Sequence, residues 1–370
     1  MKAKKTKRSF FGKIMAGITI LLWLALIASY FAPYIDPQSN WLFAFFGLAY
    51  PFLLIANLII AIFWIASRRW YGLITIVIIA CGWGMLNNNI GFHMQSSDPY
   101  NPANLVHVMT YNVHNFKRYG SKNDISTKHE ILDFIYRLQP DVIGFQEFYT
   151  RNQGQYDMRD SIVRIMGGAY YYFEPIIFNS TESIGIAIFS KYPIIAHGFI
   201  PFSDQKSENA CIYVDVKKGD KIFRIYSVHL QSIRFDPEDY KYISNITGQG
   251  ATDASSAWRV GGKLKIAFIK RSAQVAKIKE STSHCPYPYI VSGDFNDTPA
   301  SFAVNEMADG LKNAFSEKGF GFGRTYNGSF PNFQIDYIMA SKQFDVLKYQ
   351  IIEKKLSDHY PVWSDLVLSH

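Results

Sequence analysis

From Ile14 to Leu86 the chain carries only three charged side chains, Asp36, Arg68 and Arg69, and is otherwise almost wholly apolar. Those charges divide the stretch into three runs, Ile14–Ala32, Trp41–Ala66 and Trp70–Leu86. Each reads as a transmembrane helix. Pro51 falls inside the second run, where neighbouring helices can satisfy the backbone groups it frees. A signal peptide would account for the first run alone, but two more runs follow and no small-residue cleavage pattern is present. Trp23, Trp41, Trp64, Trp70 and Trp83 lie in or beside the runs, and several suit an interfacial aromatic belt.

The formal net charge of +8 belongs mostly to this region. Residues 1–97 hold eight Lys and Arg against the single acid Asp36, which leaves 30 basic and 29 acidic residues for 98–370. The basic tail (1–13) and the Arg68–Arg69 pair set the orientation: both belong on the cytoplasmic side. Three spans then place everything after Leu86 outside the cytoplasm, as in a multi-pass protein of the cell membrane with a periplasmic or extracellular domain. Residues 87–104 read as a polar linker with Asp-Pro and Asn-Pro turns. A nearly neutral domain lacks the broad basic face of a tight duplex binder. No Cys/His spacing suggests zinc; Cys81 lies in an apolar run, and Cys211 and Cys285 allow one disulfide in an oxidising compartment, with free buried thiols the default expectation.

Beyond the linker, apolar segments alternate with polar ones. Strands are expected at Leu105–Tyr111, Asp141–Gln146, Ser183–Ser190, Asn209–Val216, Lys221–His229, Tyr287–Gly293, Gln334–Ala340 and Pro361–Leu368. A helix follows the capping-box pair Thr127 and Glu130, and Lys263–Glu280 reads as another. Many strands with few helices suggest two packed sheets with helices outside. Arg234–Gly262 reads as a long loop, with Phe235, Tyr240, Tyr242 and Trp258 suited to an aromatic rim.

Six short polar segments end or interrupt these strands: Thr110-Tyr111-Asn112, Gln146-Glu147, Ser227-Val228-His229-Leu230, Gly293-Asp294-Phe295-Asn296, Ile335-Asp336-Tyr337-Ile338 and Ser357-Asp358-His359-Tyr360-Pro361. Singly, each has an ordinary explanation as a turn, a cap or a satisfied core histidine. Together, at strand ends, they place partly desolvated carboxylates where pairing or a metal is required. Glu147, Asp358 and the amide of Asn112 make an oxygen-rich set suited to Mg²⁺ or Mn²⁺. His229 and His359 offer acid/base or charge-stabilising groups, Asp294 a group to orient water, and Asn296 a donor to a phosphoryl oxygen.

In this order the set resembles the endonuclease/exonuclease/phosphatase superfamily, and Ser183–Ile194 (SIGIAIFSKYPI) resembles one of its strand pairs. The resemblance covers about Leu105 to Leu368. It implies an α/β fold of the α+β kind, a four-layer β-sandwich of two mixed sheets flanked by helices, here behind three transmembrane helices in a catalytic domain over 105–370. It also implies Mg²⁺-assisted hydrolysis of phosphoester bonds, with phosphodiesters expected. Glu147 would be the main metal ligand beside Asn112, with Asp358 as a further or supporting ligand. Asp294 would position or deprotonate water, Asn296 would hold the phosphate, and His229 would serve the leaving group. His359, oriented by Asp336, would contact the phosphoryl oxygen or act as base. Histidine at 229 departs from the tyrosine usual in the abasic-site endonucleases and resembles the branch of pancreatic-type deoxyribonuclease, sphingomyelinases and inositol-phosphate phosphatases. Arg271 and Gln274 read as a solvated helix face.

The expected partners are a lipid bilayer and a phosphoester substrate: a lipid headgroup, a small phosphodiester or nucleic acid. An extracytoplasmic nuclease and a catalytically silent binding domain are the alternatives. The complete polar set argues against silence, and the absence of ionisable residues within the three runs argues against an ion pathway.

Overall fold

The apolar N-terminal region folds as helices α1 (Phe10–Phe31), α2 (Pro37–Asn40), α3 (Leu42–Leu48), α4 (Tyr50–Ala66), α5 (Tyr71–Cys81) and α6 (Trp83–Asn89) in a computed structural model. The structure describes residues 10–93, 104–117, 125–203, 207–247, 253–328 and 333–368. Among these, α1 alone is a single helix long and apolar enough to cross a membrane. The other two expected spans are each broken: α3 meets α4 at 63°, and α5 meets α6 at 66°. Pro51 explains the first break. It lies in the first turn of α4, lacks an N–H and collides with the turn before it, so a new helix starts there. The second break falls at Gly82, where a Cβ would lie 2.3 Å from the Tyr30 ring. With 11 residues, α5 is about 16 Å long at 1.5 Å per residue, roughly half the hydrocarbon thickness.

Polar side chains tie these helices together. Trp64 Nε1 donates to Thr19 Oγ1 at 2.8 Å, Trp23 Nε1 to Thr75 Oγ1 at 2.9 Å, and Asn57 Nδ2 to the Leu22 carbonyl at 3.3 Å. Such interhelical bonds are the usual link between helices where apolar burial gives no net drive. The outward faces carry exposed Leu21, Leu24, Ile59, Ile62, Leu73 and Val77.

The expected linker is partly ordered structure. After α6, strand β1 (Ile90–Phe92) pairs antiparallel with a short strand near residue 321, while 94–103 lies outside the described residues. The chain then runs through β2 (Leu105–Asn112), α7 (Ile125–Leu138), β3 (Val142–Arg151), α8 (Met158–Ile165), β4 (Tyr170–Phe178), β5 (Glu182–Ser190), β6 (Ile194–Pro201), β7 (Ala210–Lys218) and β8 (Lys221–His229). It continues through α9 (Pro237–Thr247), α10 (Ala254–Ser283), β9 (Tyr289–Asp294), α11 (Phe302–Ala308), β10 (Leu311–Asn313), α12 (Ala314–Lys318), β11 (Phe320–Phe322), β12 (Asp336–Ser341), β13 (Phe344–Ile351) and β14 (Val362–Leu368). Thr127 is buried inside α7 rather than capping it. The segment expected as a loop over 234–262 holds α9 and the first turns of α10.

Two six-stranded mixed sheets result, ordered β13-β14-β2-β3-β5-β4 and β10-β12-β9-β8-β7-β6. Each has one parallel pair at its centre, β2 with β3 and β8 with β9, between antiparallel neighbours. Alternation along the strands builds three cores. Val106, Val108, Ile188, Val214, Ile225, Ile290 and Ile338 fill the space between the sheets. Met109, Ile143 and Phe145 turn the other way against Ile131, Ile135 and Ile162 of α7 and α8. Tyr226, Val228 and Val291 pack on Val275, Ile278 and Val304 of α10 and α11. The four-layer sandwich implied by the motifs is therefore the fold, with two mixed sheets flanked by helices.

Candidate active site

The inter-sheet face changes character toward one edge. Above the apolar core lies a polar layer, where Gln146 Nε2 donates to Ser227 Oγ at 3.0 Å and Gly144 leaves room for that serine. Beyond it the same alternation brings Asn112, His229, Asp294 and Asp336 to the ends of β2, β8, β9 and β12. The register sets His229 beside Asp294, and Asp294 beside Asp336.

Glu147 reaches the site by a different route. Pairing of β3 with β5 slips between Phe145 and Phe148, and Glu147 takes a left-handed φ of 51°. This bulge keeps Phe148 in the outer core and re-aims the glutamate. Its Oε1 accepts from Asn112 Nδ2 at 3.3 Å. His114, two residues beyond Asn112, lies in a short left-handed turn, and its Nδ1 is 3.5 Å from Glu147 Oε2 and 3.6 Å from Asp358 Oδ1. Burial pushes the Glu147 carboxyl up, but the His114 contact and the His229 charge outweigh it and hold the group down at about 2.

Asp294 is buried at the centre. Its Oδ2 accepts from Asn112 Nδ2 at 3.0 Å and from Asn296 Nδ2 at 3.1 Å, and its Oδ1 accepts from the Asn296 backbone at 2.8 Å. Gly293 makes this approach possible: at φ 147° its missing Cβ would lie 2.0 Å from the Val228 carbonyl of the parallel neighbour. Burial raises the Asp294 carboxyl above the ordinary range; His359 and His229 oppose that rise and Asp336 adds to it.

Each histidine is oriented through its Nδ1. His229 Nδ1 lies 3.1 Å from the Glu208 carbonyl, which only accepts, so Nδ1 carries the proton. Its Nε2 is buried, has no hydrogen-bond partner among the described residues, and lies 3.6 Å from Asp294 Oδ2. His359 Nδ1 contacts both Asp336 oxygens, at 2.9 and 3.1 Å, which leaves Nε2 3.7 Å from Asp294 Oδ2. Burial alone would lower the His359 imidazole, but Asp336 and Asp294 outweigh it and raise the group well above its usual value. Thr325 Oγ1 accepts from the Asp336 backbone N–H at 3.0 Å and fixes that end of β12.

All eight residues singled out in the sequence thus meet here, and His114 joins them. No periodicity marks His114; only its place after Tyr111-Asn112 does. Arg271 and Gln274 are buried rather than solvated. Arg271 Nη1 lies 3.3 Å from Asp297 Oδ2, directly behind the Asp294–Asn296 turn.

Four carboxylates, Glu147, Asp294, Asp336 and Asp358, converge with three imidazoles. Among the described residues no Lys or Arg nitrogen pairs with any of the four. Buried anions need compensation, and oxygen donors suit a hard divalent cation. Asp294, Asp336 and His359 also offer ligand atoms within 4.8 Å of one another. Both Asp336 oxygens are engaged by His359, so Glu147 and Asp358, which converge on the His114 ring, offer the freer oxygens.

The sequence model of the endonuclease/exonuclease/phosphatase family matches residues 109–359. The chain belongs to that family. By family it is a phosphoester hydrolase, and enzymes of this family work with divalent metal ions. A second family model, described as a domain of unknown function, matches residues 12–89. No curated protein matches. Among solved structures, an endonuclease/exonuclease/phosphatase family protein from Bacteroides thetaiotaomicron is similar at 18% identity and a TM-score of 0.51, over 73% of this chain and 99% of that one. The human Nocturnin catalytic domain with bound sulfate is similar at 19% identity and a TM-score of 0.51, over 74% and 95%. Likeness at this level speaks for the fold.

Proposed function

We propose that this chain is a Mg²⁺-dependent phosphodiesterase, with Mn²⁺ able to substitute, whose catalytic domain is held outside the cytoplasm by three membrane spans. One observation carries the chemistry: four carboxylates cluster with imidazoles, and among the described residues no Lys or Arg nitrogen pairs with any of them. Glu147, Asn112 and Asp358 would hold the ion, which when bound supplies Lewis-acid polarisation of a phosphoryl oxygen.

The chain's own groups divide the remaining work. Asp294 orients the attacking water and takes its proton, a role suited to a buried carboxylate with a raised pKa. Asn296 donates to a phosphoryl oxygen. His359, kept cationic by Asp336, donates through Nε2 and offsets charge that develops on phosphorus oxygens. His229 presents Nε2 to the leaving oxygen.

The packing supports the membrane reading. α1, α4 and α5 run back and forth as one bundle. At the Arg68–Arg69 end, Trp64 and Tyr71 pack on Ala16 near the start of α1, while Asp36, beyond the other end of α1, bonds Ser272 of the catalytic domain. Counting each bent pair as one span gives three, and positive charge on the inside gives an external domain.

Purified full-length chain should hydrolyse bis(p-nitrophenyl) phosphate with Mg²⁺ or Mn²⁺ and lose that activity in chelator. Full activity in chelator would remove the metal from the mechanism. A C-terminal alkaline phosphatase fusion should be active; an inactive fusion beside a fluorescent C-terminal cytoplasmic reporter would reverse the topology.

A further inference from the structure

The helices that carry the domain also wall its active site. Asp36 Oδ1 accepts from Ser272 Oγ of α10 at 2.6 Å, and the Phe45 ring meets Phe268 edge-on at 5.4 Å. Ala44, Phe45 and Leu48 form one apolar cluster with Leu264, Phe268 and Phe235. This cluster is one side of a cavity of about 210 Å³ whose lining also includes Glu147, Asp294, Asn296 and His359. Leu48 therefore faces the same space as the catalytic carboxylates.

The apolar lining does not stop at the cavity. Phe333, another lining residue, meets the ring of Phe52 edge-on at 6.3 Å. Phe52 lies in the first turn of α4 and is 57% exposed, in line with exposed Ile55, Ile59 and Ile62 further along that helix. An apolar path thus runs from the outer face of a membrane helix, through Phe52 and Phe333, into the catalytic cavity. Arg271 also lines the cavity; it is buried, and its Nη2 has no hydrogen-bond partner among the described residues.

A phosphoester of nucleic acid would have no use for such a path, and residues 98–370 are nearly neutral, with 30 basic and 29 acidic side chains. We infer that the substrate is an amphiphilic phosphodiester drawn sideways from the bilayer. Its alkyl chain lies along Phe52, Phe333 and Leu48, its phosphorus stands at Asn112, Asp294 and His359, and Arg271 Nη2 meets a polar oxygen between the two. The inference rests on the hydrolase reading above. In the reaction, water gives its OH to phosphorus, one P–O bond breaks, and the leaving oxygen receives the proton, which yields a monoester and an alcohol.

The test uses full-length chain in phosphatidylcholine vesicles with a series of alkyl p-nitrophenyl phosphates, ethyl to octyl, and reads p-nitrophenol release. Burial of each CH₂ raises kcat/KM by up to about fourfold, so octyl should exceed ethyl by at least about tenfold. In Leu264→Gln and, separately, Phe333→Ser the octyl-to-ethyl ratio should fall severalfold or more; partition into the vesicle is common to all three proteins and cancels. A flat wild-type profile, or a ratio untouched in both variants, overturns the inference while ethyl-ester turnover keeps the hydrolase reading. No turnover of any ester with Mg²⁺ or Mn²⁺ overturns the reading itself.

Discussion

Asn112 Nδ2 stands 3.0 Å from Asp294 Oδ2 and 3.3 Å from Glu147 Oε1, so one amide joins the end of one sheet to the end of the other. Bonds to charged acceptors are worth about 1.5–3 kcal/mol each. Asn112→Ala should lower kcat on a phosphodiester at least ~30-fold, with a far-ultraviolet spectrum unchanged from wild type. A kcat within twofold of wild type would show that Asp294 and Glu147 hold their places without it.

Asp336 is buried and gives both oxygens to His359. Asp336→Asn replaces an acceptor pair by one acceptor and one donor, and the imidazole loses the charge that keeps it protonated. By analogy with other carboxylate–histidine pairs, kcat should fall by about 10³-fold or more. Stability measured by urea titration should change far less than activity. Equal losses in both would make the pair structural.

Arg271 is buried against Asp297 with its Nε donating to the Gln231 carbonyl at 2.8 Å. Removing one partner strands the other charge. Arg271→Met should cost about 3–5 kcal/mol in unfolding free energy, and adding Asp297→Asn should recover part of it. Strict additivity of the two losses would deny the pairing.

His107 lies 2.7 Å from Asp365, away from the active site. That hydrogen bond raises its pKa, and burial opposes the rise. A folded pKa above the unfolded value of about 6.5 means stabilisation that is complete below 6.5 and lost as pH climbs through the folded value. The Tm advantage of wild type over His107→Gln should therefore be larger at pH 6 than at pH 9. His107 is partly exposed, so the shift should be small and should shrink in high salt.

The eight strands read from sequence are the eight interior ones. The four edges of the six-stranded sheets, β4, β6, β10 and β13, went unread, as did the short β1–β11 pair, and physics explains why. An edge strand has one unpaired side and needs less apolar character, so it tolerates Pro175 in β4, Gly198 in β6, and Asp345 and Lys348 in β13. The site was legible because alternation must deliver polar groups to strand ends in fixed order. Arg271 was not, since a lone basic residue on a helix reads as solvated until its buried partner is seen. The start of α10 was hidden by Gly261 and Gly262, where nothing stands within 4 Å of a would-be Cβ. Packing of the flanking Val260 and Leu264 in the cluster with Ala44, not the propensity of the glycines, keeps that turn helical.

The candidate groups are divided between the sheets: Asn112 and Glu147 on one, His229, Asp294 and Asp336 on the other. Neither half has a working set. The sheet that carries Asn112 and Glu147 is completed by β13 and β14, the last strands of the chain, so a nascent chain that has not yet released them holds an incomplete set. On the proposed chemistry, the seam makes hydrolysis wait for the C-terminal strands to dock.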